Sequence, residues 1–117
     1  MPEIMEKTEE LINVIRESEE YQTFERLDEL LKKDPEKKKK VDEFRFKVFT
    51  MQNQADSTSQ MYEQLQQQNQ DILDDPLVRE FLNAEESLAA VMREVYEKLG
   101  HAVTMDLGFL KGVKQKA

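Results

Sequence analysis

The stretch "DDPLVREFLNAEESLAAVMREVYEKL", residues 74–99, decides the fold class of this chain. Its apolar residues recur every three or four positions, which places them on one face of an α-helix. Asp75 suits the N-cap position, and Pro76 suits the first helical position, where proline needs no amide proton. The pattern therefore predicts a long amphipathic helix over residues 76–103.

The segment before this helix carries the same periodicity. Its apolar positions alternate by three and four over about four heptads, as in a helix that packs along its length. We therefore expect a long antiparallel helical hairpin of residues 35–73 and 76–103. The polar stretch "NQADSTSQ" offers Ser57 or Thr58 as a new N-cap. The first helix is thus either continuous or broken near residues 54–59.

Two shorter amphipathic segments precede the hairpin. Ser18 followed by two glutamates marks a helix start, because the hydroxyl accepts from free amides and the helix dipole favours acids there. The Asp34-Pro35 pair ends the second segment, since proline disfavours helical geometry in the residue before it. The sequence therefore predicts an all-α domain over residues 1–106, with a short N-terminal helix pair. A loosely ordered tail is predicted for residues 107–117.

Composition supports the all-α class and narrows the function. The chain has 117 residues, 36% of them charged, with only three Gly and three Pro, a balance typical of long helices. Its net charge of −8 opposes general attraction to nucleic acid, which needs clustered cations. The sequence contains no Cys, so disulfides and thiolate sites are excluded. Without a long apolar run, we expect a cytoplasmic protein with no membrane contact.

No pattern of catalytic or metal-binding residues is present in the sequence. His101 has no second ligand at matching spacing, and no phosphate-binding loop or nucleophile motif occurs. We therefore predict a protein that is not an enzyme, with no cofactor and no catalytic, cofactor-binding or metal-binding residue. The cluster Lys32–Lys40 is open to two interpretations, a solubilising surface or a basic patch for RNA, and the first is favoured.

The apolar faces predict contacts with other helices and with a second copy. Asn69 falls at an a position, where a buried amide fixes register, and Glu85 lies within an apolar face, where it must pair, reach solvent or meet another chain. Few helices with wide apolar faces predict a homodimer or higher oligomer joined by coiled-coil-like seams. The seam candidates are Phe44, Val48, Met51, Leu65, Asn69, Phe81, Glu85, Leu88, Met92 and Val95.

Two stretches resemble a family of small helical bacterial proteins, the YlbF/YmcA/YheA family. "LINVIRESEEYQTFERLDELLKKDPEKKKKVDEFR", residues 11–45, is similar to that family's N-terminal half. Residues 74–99 are similar to its "p.v..fl.AE..L" helix. The residues that carry the resemblance, in this order, are Ser18-Glu19-Glu20-Tyr21, Asp34-Pro35-Glu36, Phe44-Arg45 and Ala84-Glu85.

The resemblance implies an all-helical, commonly oligomeric protein with no known catalytic activity. In that family, YlbF and YmcA act with YaaT as an adaptor complex that modulates the endoribonuclease RNase Y. This complex affects mRNA maturation, competence, sporulation and biofilm formation. Its members bind iron-sulfur clusters through cysteines, which this sequence lacks, so the resemblance is nearest to the cysteine-free YheA-like branch.

These observations together predict a non-enzymatic cytosolic regulator or adaptor. It is expected to act through helix-to-helix contacts, first with itself and then with a protein partner, which the resemblance suggests is an RNA-processing complex. Two alternatives stay open. The first is a small chaperone-like clamp that uses exposed apolar tips, and the second is an RNA-binding accessory that uses Lys32–Lys40.

Overall fold

The computed structural model describes residues 2–54 and 56–103, and this part of the chain consists of six α-helices with no β-strand. The predicted all-α class is confirmed. The predicted loose tail, residues 107–117, lies outside the described residues. The helices are α1 (Pro2–Glu17), α2 (Glu19–Lys32), α3 (Pro35–Gln52), α4 (Ser59–Gln68), α5 (Gln70–Leu73) and α6 (Pro76–Ala102).

The helices α2 and α6 begin at their predicted caps, and α3 begins at Asp34, which the sequence analysis had interpreted only as the end of the preceding segment. The Ser18 hydroxyl accepts a hydrogen bond from the Tyr21 amide at 3.2 Å, and the Asp34 carboxylate accepts from the Lys37 amide at 3.1 Å. Asp75 accepts from two backbone amides of α6, at 2.9 and 3.3 Å. Each cap satisfies amides that have no partner inside the helix, which explains why the helices begin there.

The segment predicted as one helix or two is broken. α3 ends before residues 53–58, and α4 begins where the Thr58 hydroxyl accepts from the Met61 amide at 3.2 Å. The described residues between these helices are exposed and polar, so no packing holds them in a continuous helix. Of the two alternatives that the sequence left open, the break near residues 54–59 is therefore correct.

A second interruption lies at Asn69, between α4 and α5. The Asn69 side chain donates to the Leu65 carbonyl at 2.8 Å, and its backbone leaves helical geometry. A side-chain amide that bonds a backbone carbonyl of the preceding turn competes with helix continuation. The spacing had suggested that Asn69 occupies a buried a position of an unbroken heptad repeat. In the structure, Asn69 lies instead at the joint between two helices.

The buried core lies where α2, α3 and α6 meet, and we call this cluster the root. The rings of Phe24 and Phe81 pack against each other there with centroids 5.2 Å apart. Phe44 is also buried, at the edge of the root. The cluster itself consists of Leu27, Leu31, Val41, Val78, Phe81 and Ala84.

The helix α6 packs most extensively against α2, whereas the hairpin prediction pairs it with residues 35–73. The chain does reverse between α5 and α6, as a hairpin requires. Helix α3 contributes Val41 to the root and is tied to α6 by an ion pair between Arg45 and Glu85. Because the segment before α6 is interrupted twice, it does not follow α6 along its whole length.

The molecule is thin, and this leaves apolar surface uncovered. Its smallest extent is 18 Å, against 48 and 37 Å along the other two axes. None of the residues of α1 is buried, although the helix is amphipathic. A molecule this flat and small has little interior, so apolar side chains of several helices remain at the surface.

Candidate protein-interaction surfaces

A wide groove lies between α3 and α4 on one side and α6 on the other. Its volume is about 1220 Å³, larger than typical small-molecule pockets of about 300–1,000 Å³. The groove is open along its length and has polar side chains on its rim. Its apolar and aromatic lining is formed by Phe44, Phe46, Val48, Phe49, Tyr62, Leu73, Leu82 and Ala89.

Arg45 joins the two walls of this groove. Its guanidinium donates to a carboxylate oxygen of Glu85 on α6 and, at 3.0 Å, to Asp42 on α3. The guanidinium carbon also lies 5.2 Å from the centroid of the Phe81 ring. Burial alone would lower the pKa of Arg45, but its hydrogen bonds to Glu85 and Asp42 raise the pKa overall. The charge of Glu85 thus has a partner within the chain.

Three of the six lysines in the cluster Lys32–Lys40 form ion pairs with aspartates of the same chain. Hydrogen bonds to these aspartates raise the pKa of Lys32 and the pKa of Lys37. Part of the cluster is therefore paired within the chain and is not free charge, and Lys37 links α3 to the start of α6. The pairs are Lys32 with Asp28 at 3.0 Å, Lys37 with Asp75 at 2.7 Å and Lys38 with Asp42 at 2.7 Å.

Asp75 and Asp42 are held in their charged form by hydrogen bonds. The hydrogen bond from Lys37 lowers the pKa of Asp75, and backbone amides of α6 lower it further. Burial raises the pKa of Asp42, yet hydrogen bonds from Lys38 and Arg45 outweigh burial and leave it below its ordinary value. Asp75 is paired with Lys37 of α3, and Asp42 with two basic residues of its own helix, so neither is a free proton acceptor at neutral pH.

The ten predicted seam residues do not form one continuous stripe. Five of them were predicted on a single long helix, and that helix is broken. Phe44, Val48 and Glu85 line the groove, and Phe81 lies in the root. Met51 and Leu65 line a smaller cleft between α3 and α4, and Asn69 lies at the α4–α5 joint. Leu88, Met92 and Val95 are half-buried on the second half of α6.

Sequence reasoning missed the exposed aromatic residues of α3. Phe46 and Phe49 are 70% and 64% exposed, and both line the groove. Both fall outside the three-and-four spacing that marks the buried stripe. Large apolar residues out of register with the main stripe were therefore a usable signal for a second apolar face on this helix.

Further apolar side chains are exposed at two other places, α1 and the second half of α6. Contiguous apolar surface of this kind marks sites of contact with another protein more often than single exposed residues do. These side chains are Ile4, Met5, Leu11 and Val14 on α1, and Tyr96 and Leu99 on α6.

The described residues contain neither a cluster of metal ligands nor a helix suited to a membrane. No group of three or more His, Cys, Asp or Glu side chains in residues 2–54 and 56–103 is arranged to hold a metal ion. His101 is exposed in the last turn of α6. Within the same residues, no helix is long and apolar enough to cross a membrane.

Comparison with known proteins places the chain in a family. A family model described as "Control of competence regulator ComK, YlbF/YmcA" matches residues 4–104. A UPF0342 protein of Symbiobacterium thermophilum is 28% identical over 105 residues, which is 86% of this chain and 94% of that protein. No solved structure matches the chain. The resemblance seen in the sequence is thus confirmed, and the chain belongs to the YlbF/YmcA family of regulators.

Proposed function

We propose that this chain is a non-enzymatic cytoplasmic adaptor that regulates by helix-mediated protein contact. It contacts a second copy of itself and a helix of a protein partner, which belongs to an RNA-processing complex such as the one around RNase Y. The observation that carries this proposal is the open apolar groove between α3, α4 and α6. The family's description as a regulator of competence supports the regulatory role.

The groove suits an amphipathic helix of a partner protein. Helix α3, which forms one wall, has 18 residues, or about 27 Å at 1.5 Å per residue. The lining offers apolar side chains such as Val48 and Leu82, which an apolar helix stripe would cover. Arg79, Arg93 and Glu86 line it as well, so the partner helix is expected to carry charges of both signs beside its stripe.

Self-association follows from the uncovered apolar faces of a thin molecule. The faces on α1, α3 and α6 have no cover within the described residues, and contact with a second copy would remove them from water. A homodimer is the simplest assembly in which each copy covers apolar surface of the other. The link to mRNA processing, competence, sporulation and biofilm control rests on the family and not on the groove.

A pull-down with crosslinking from the native host tests the groove. Ala89 is half-buried and lines the groove, whereas its neighbour Ala90 is exposed and does not. Ala89→Arg places a long side chain in the groove, and Ala90→Arg is the matched control on the same helix. We expect the wild type and Ala90→Arg to capture a component of an RNA-processing complex, and Ala89→Arg to lose it.

Partner identity separates this proposal from its alternatives. Capture of many unrelated unfolded proteins would indicate the chaperone-like clamp, and binding of RNA that falls steeply with salt would indicate the RNA accessory. If Ala89→Arg retains the same partner as the wild type, the groove is not the partner site. The engagement of Lys32, Lys37 and Lys38 in internal ion pairs already disfavours the RNA alternative.

A further inference from the structure

We propose that the ion pair between Arg45 and Glu85 positions the two walls of the groove, and that a partner helix docks only while this pair is formed. The inference rests on the function proposed above and deepens it, because it names the two residues that control the width of the same groove.

The pair lies at the point where the buried core ends on both helices. On α3 the last buried residue is Phe44, directly before Arg45, and on α6 it is Ala84, directly before Glu85. Beyond this level both helices continue along the groove, but neither has a buried residue there that would hold it in place. The pair therefore lies between the packed root and the open part of the groove.

Among the described residues, no other ion pair joins the two walls of the groove. The other two arginines that line it, Arg93 and Arg79, pair respectively with Glu86 on the same helix and with Asp74, just before that helix. Helix α3 packs mainly against α2, α4 and α5, and little against α6 directly. The spacing of the walls therefore depends on the pair of Arg45 and Glu85 more than on any other charged contact.

Arg45 is held in one orientation by three neighbours. Its guanidinium donates to Glu85 and, at 3.0 Å, to Asp42, and its carbon lies 5.2 Å from the centroid of the Phe81 ring. A planar guanidinium that bonds two carboxylates and lies over an aromatic ring has little freedom to turn. Because Phe81 is fully buried in the root, the guanidinium is tied to the rigid part of the molecule. Its position thus determines how far α3 lies from Glu85 on α6.

The pair can nevertheless break without unfolding the chain. The side chains of Arg45 and Glu85 are each 34% exposed, so water reaches both charges when they separate. Loss of the pair would leave the root intact and the spacing of the walls variable. A groove of fixed width binds a helix more tightly than one of variable width, because no binding energy is lost in ordering its walls.

Distances between spin labels test this role directly, because the chain contains no Cys of its own. Thr50 on α3 and Ala90 on α6 are exposed and do not line the groove, so Thr50→Cys with Ala90→Cys provides the two labelling positions. Labelled chains are diluted into an excess of unlabelled chains, so that pulsed EPR measures distances within one chain. Glu85→Gln removes the charge and keeps the shape. It is expected to broaden the distances and to lengthen their mean by about 2 Å or more, as in other shifts of packed helices.

Glu86→Gln is the matched control for these distances. Glu86 also lines the groove and belongs to an ion pair of α6, but its partner Arg93 lies on the same helix. This variant should keep the wild-type distances. Arg45→Lys keeps the charge without the planar fork and should give an intermediate result. Unchanged or shorter distances in Glu85→Gln, or an equal change in Glu86→Gln, would overturn the assigned role.

Partner capture tests whether the spacing of the walls controls docking. In a crosslinking pull-down from the native host, Glu85→Gln should capture less of the RNA-processing component than the wild type, by about fivefold or more, the lower end of ordinary coupling between two states. Arg45→Met should lose as much, because either change leaves the walls unjoined. Lys32→Gln is the control, since it removes an exposed ion pair of α2 and does not line the groove. Far-UV circular dichroism checks that each variant keeps its helices.

The outcomes separate this inference from the function on which it rests. A wild-type chain that captures no such component would overturn the proposed function, while the distances would still decide whether the pair holds the walls. A wild-type chain and a Glu85→Gln variant that capture the component equally would overturn only the control of docking by this pair, and the proposed function would stand.

Discussion

The helices α1 and α2 are both amphipathic, but only α2 buries its apolar face. Leu27 and Leu31 of α2 are almost completely buried in the root, whereas α1 has no buried residue. The difference lies in what each helix meets, because α2 lies against α6 and α1 extends beyond it. An amphipathic pattern therefore predicts that a helix has an apolar face to bury. The connectivity of the helices determines whether another part of the same chain buries that face. The root stabilises the fold, and the apolar side chains of α1 are left largely exposed.

The largest expected contrast is between a root residue and an α1 residue. Phe81 is fully buried, so Phe81→Ala should lower the free energy of unfolding by about 3–5 kcal/mol. Met5→Ala on α1 should change it by no more than about 0.5 kcal/mol. Urea denaturation of both variants, below the concentration at which the chain self-associates, measures this. Equal losses would show that α1 is part of the fold.

A second contrast compares two ion pairs in which an arginine contacts a glutamate of α6. Arg45 reaches Glu85 from another helix and packs on a buried ring, whereas Arg93 pairs with Glu86 of its own exposed helix face at 2.6 Å. Arg45→Met should cost about 1–2 kcal/mol, after allowance for partial exposure. Arg93→Met should cost about 0.5 kcal/mol or less. If the two costs are alike in thermal or chemical unfolding, the Arg45 pair does not join the helices.

The junction between α1 and α2 offers a smaller effect. Ser18→Ala removes the hydroxyl that caps α2 and should cost about 0.5–1 kcal/mol, whereas Ser18→Gly should cost only a few tenths. The amide of Tyr21 loses its partner in both variants. Faster hydrogen exchange at that amide, with unchanged exchange in the root, would confirm that the cap acts locally. Loss of protection in the root would contradict a separate role for α1.

Acid should lower the stability of the fold by the smallest amount, since the paired carboxylates Asp42 and Asp75 are partly in water. Asp42 and Asp75 have folded pKa values below their ordinary 3.8. Their contribution is therefore present at neutral pH and is lost as the pH falls below about 4 toward the folded pKa. Asp42→Asn with Asp75→Asn should flatten the fall in stability over this range. An unchanged acid limb in pH-dependent unfolding would exclude these two groups as its source.

The local signals in the sequence predicted the local structure well. Ser18 and Asp75 begin helices as predicted, and Thr58, one of the two caps offered for a break, begins α4. Asp34 ends the second segment as predicted and also caps α3. These predictions succeed because a cap and its amides lie within three residues of each other, so their chemistry is readable from sequence alone.

Which helix packs against which could not be predicted from the sequence in the same way. Periodicity marked an apolar face on α6 but did not state that α2 would cover it. The partner of Glu85 is Arg45, which lies 40 positions away in the chain. The break at Asn69 was hidden because its side chain suits both a seam position and a helix end. Each of these depends on three-dimensional packing, which residue spacing does not specify.

The mass of the wild-type chain in solution tests the central claim most directly. The claim is that the apolar faces left uncovered by this fold are covered by another protein, first by a second copy. Light scattering at micromolar concentration should therefore give a mass of at least twice the 13.8 kDa of one chain. A constant mass of 13.8 kDa over that concentration range would contradict the claim.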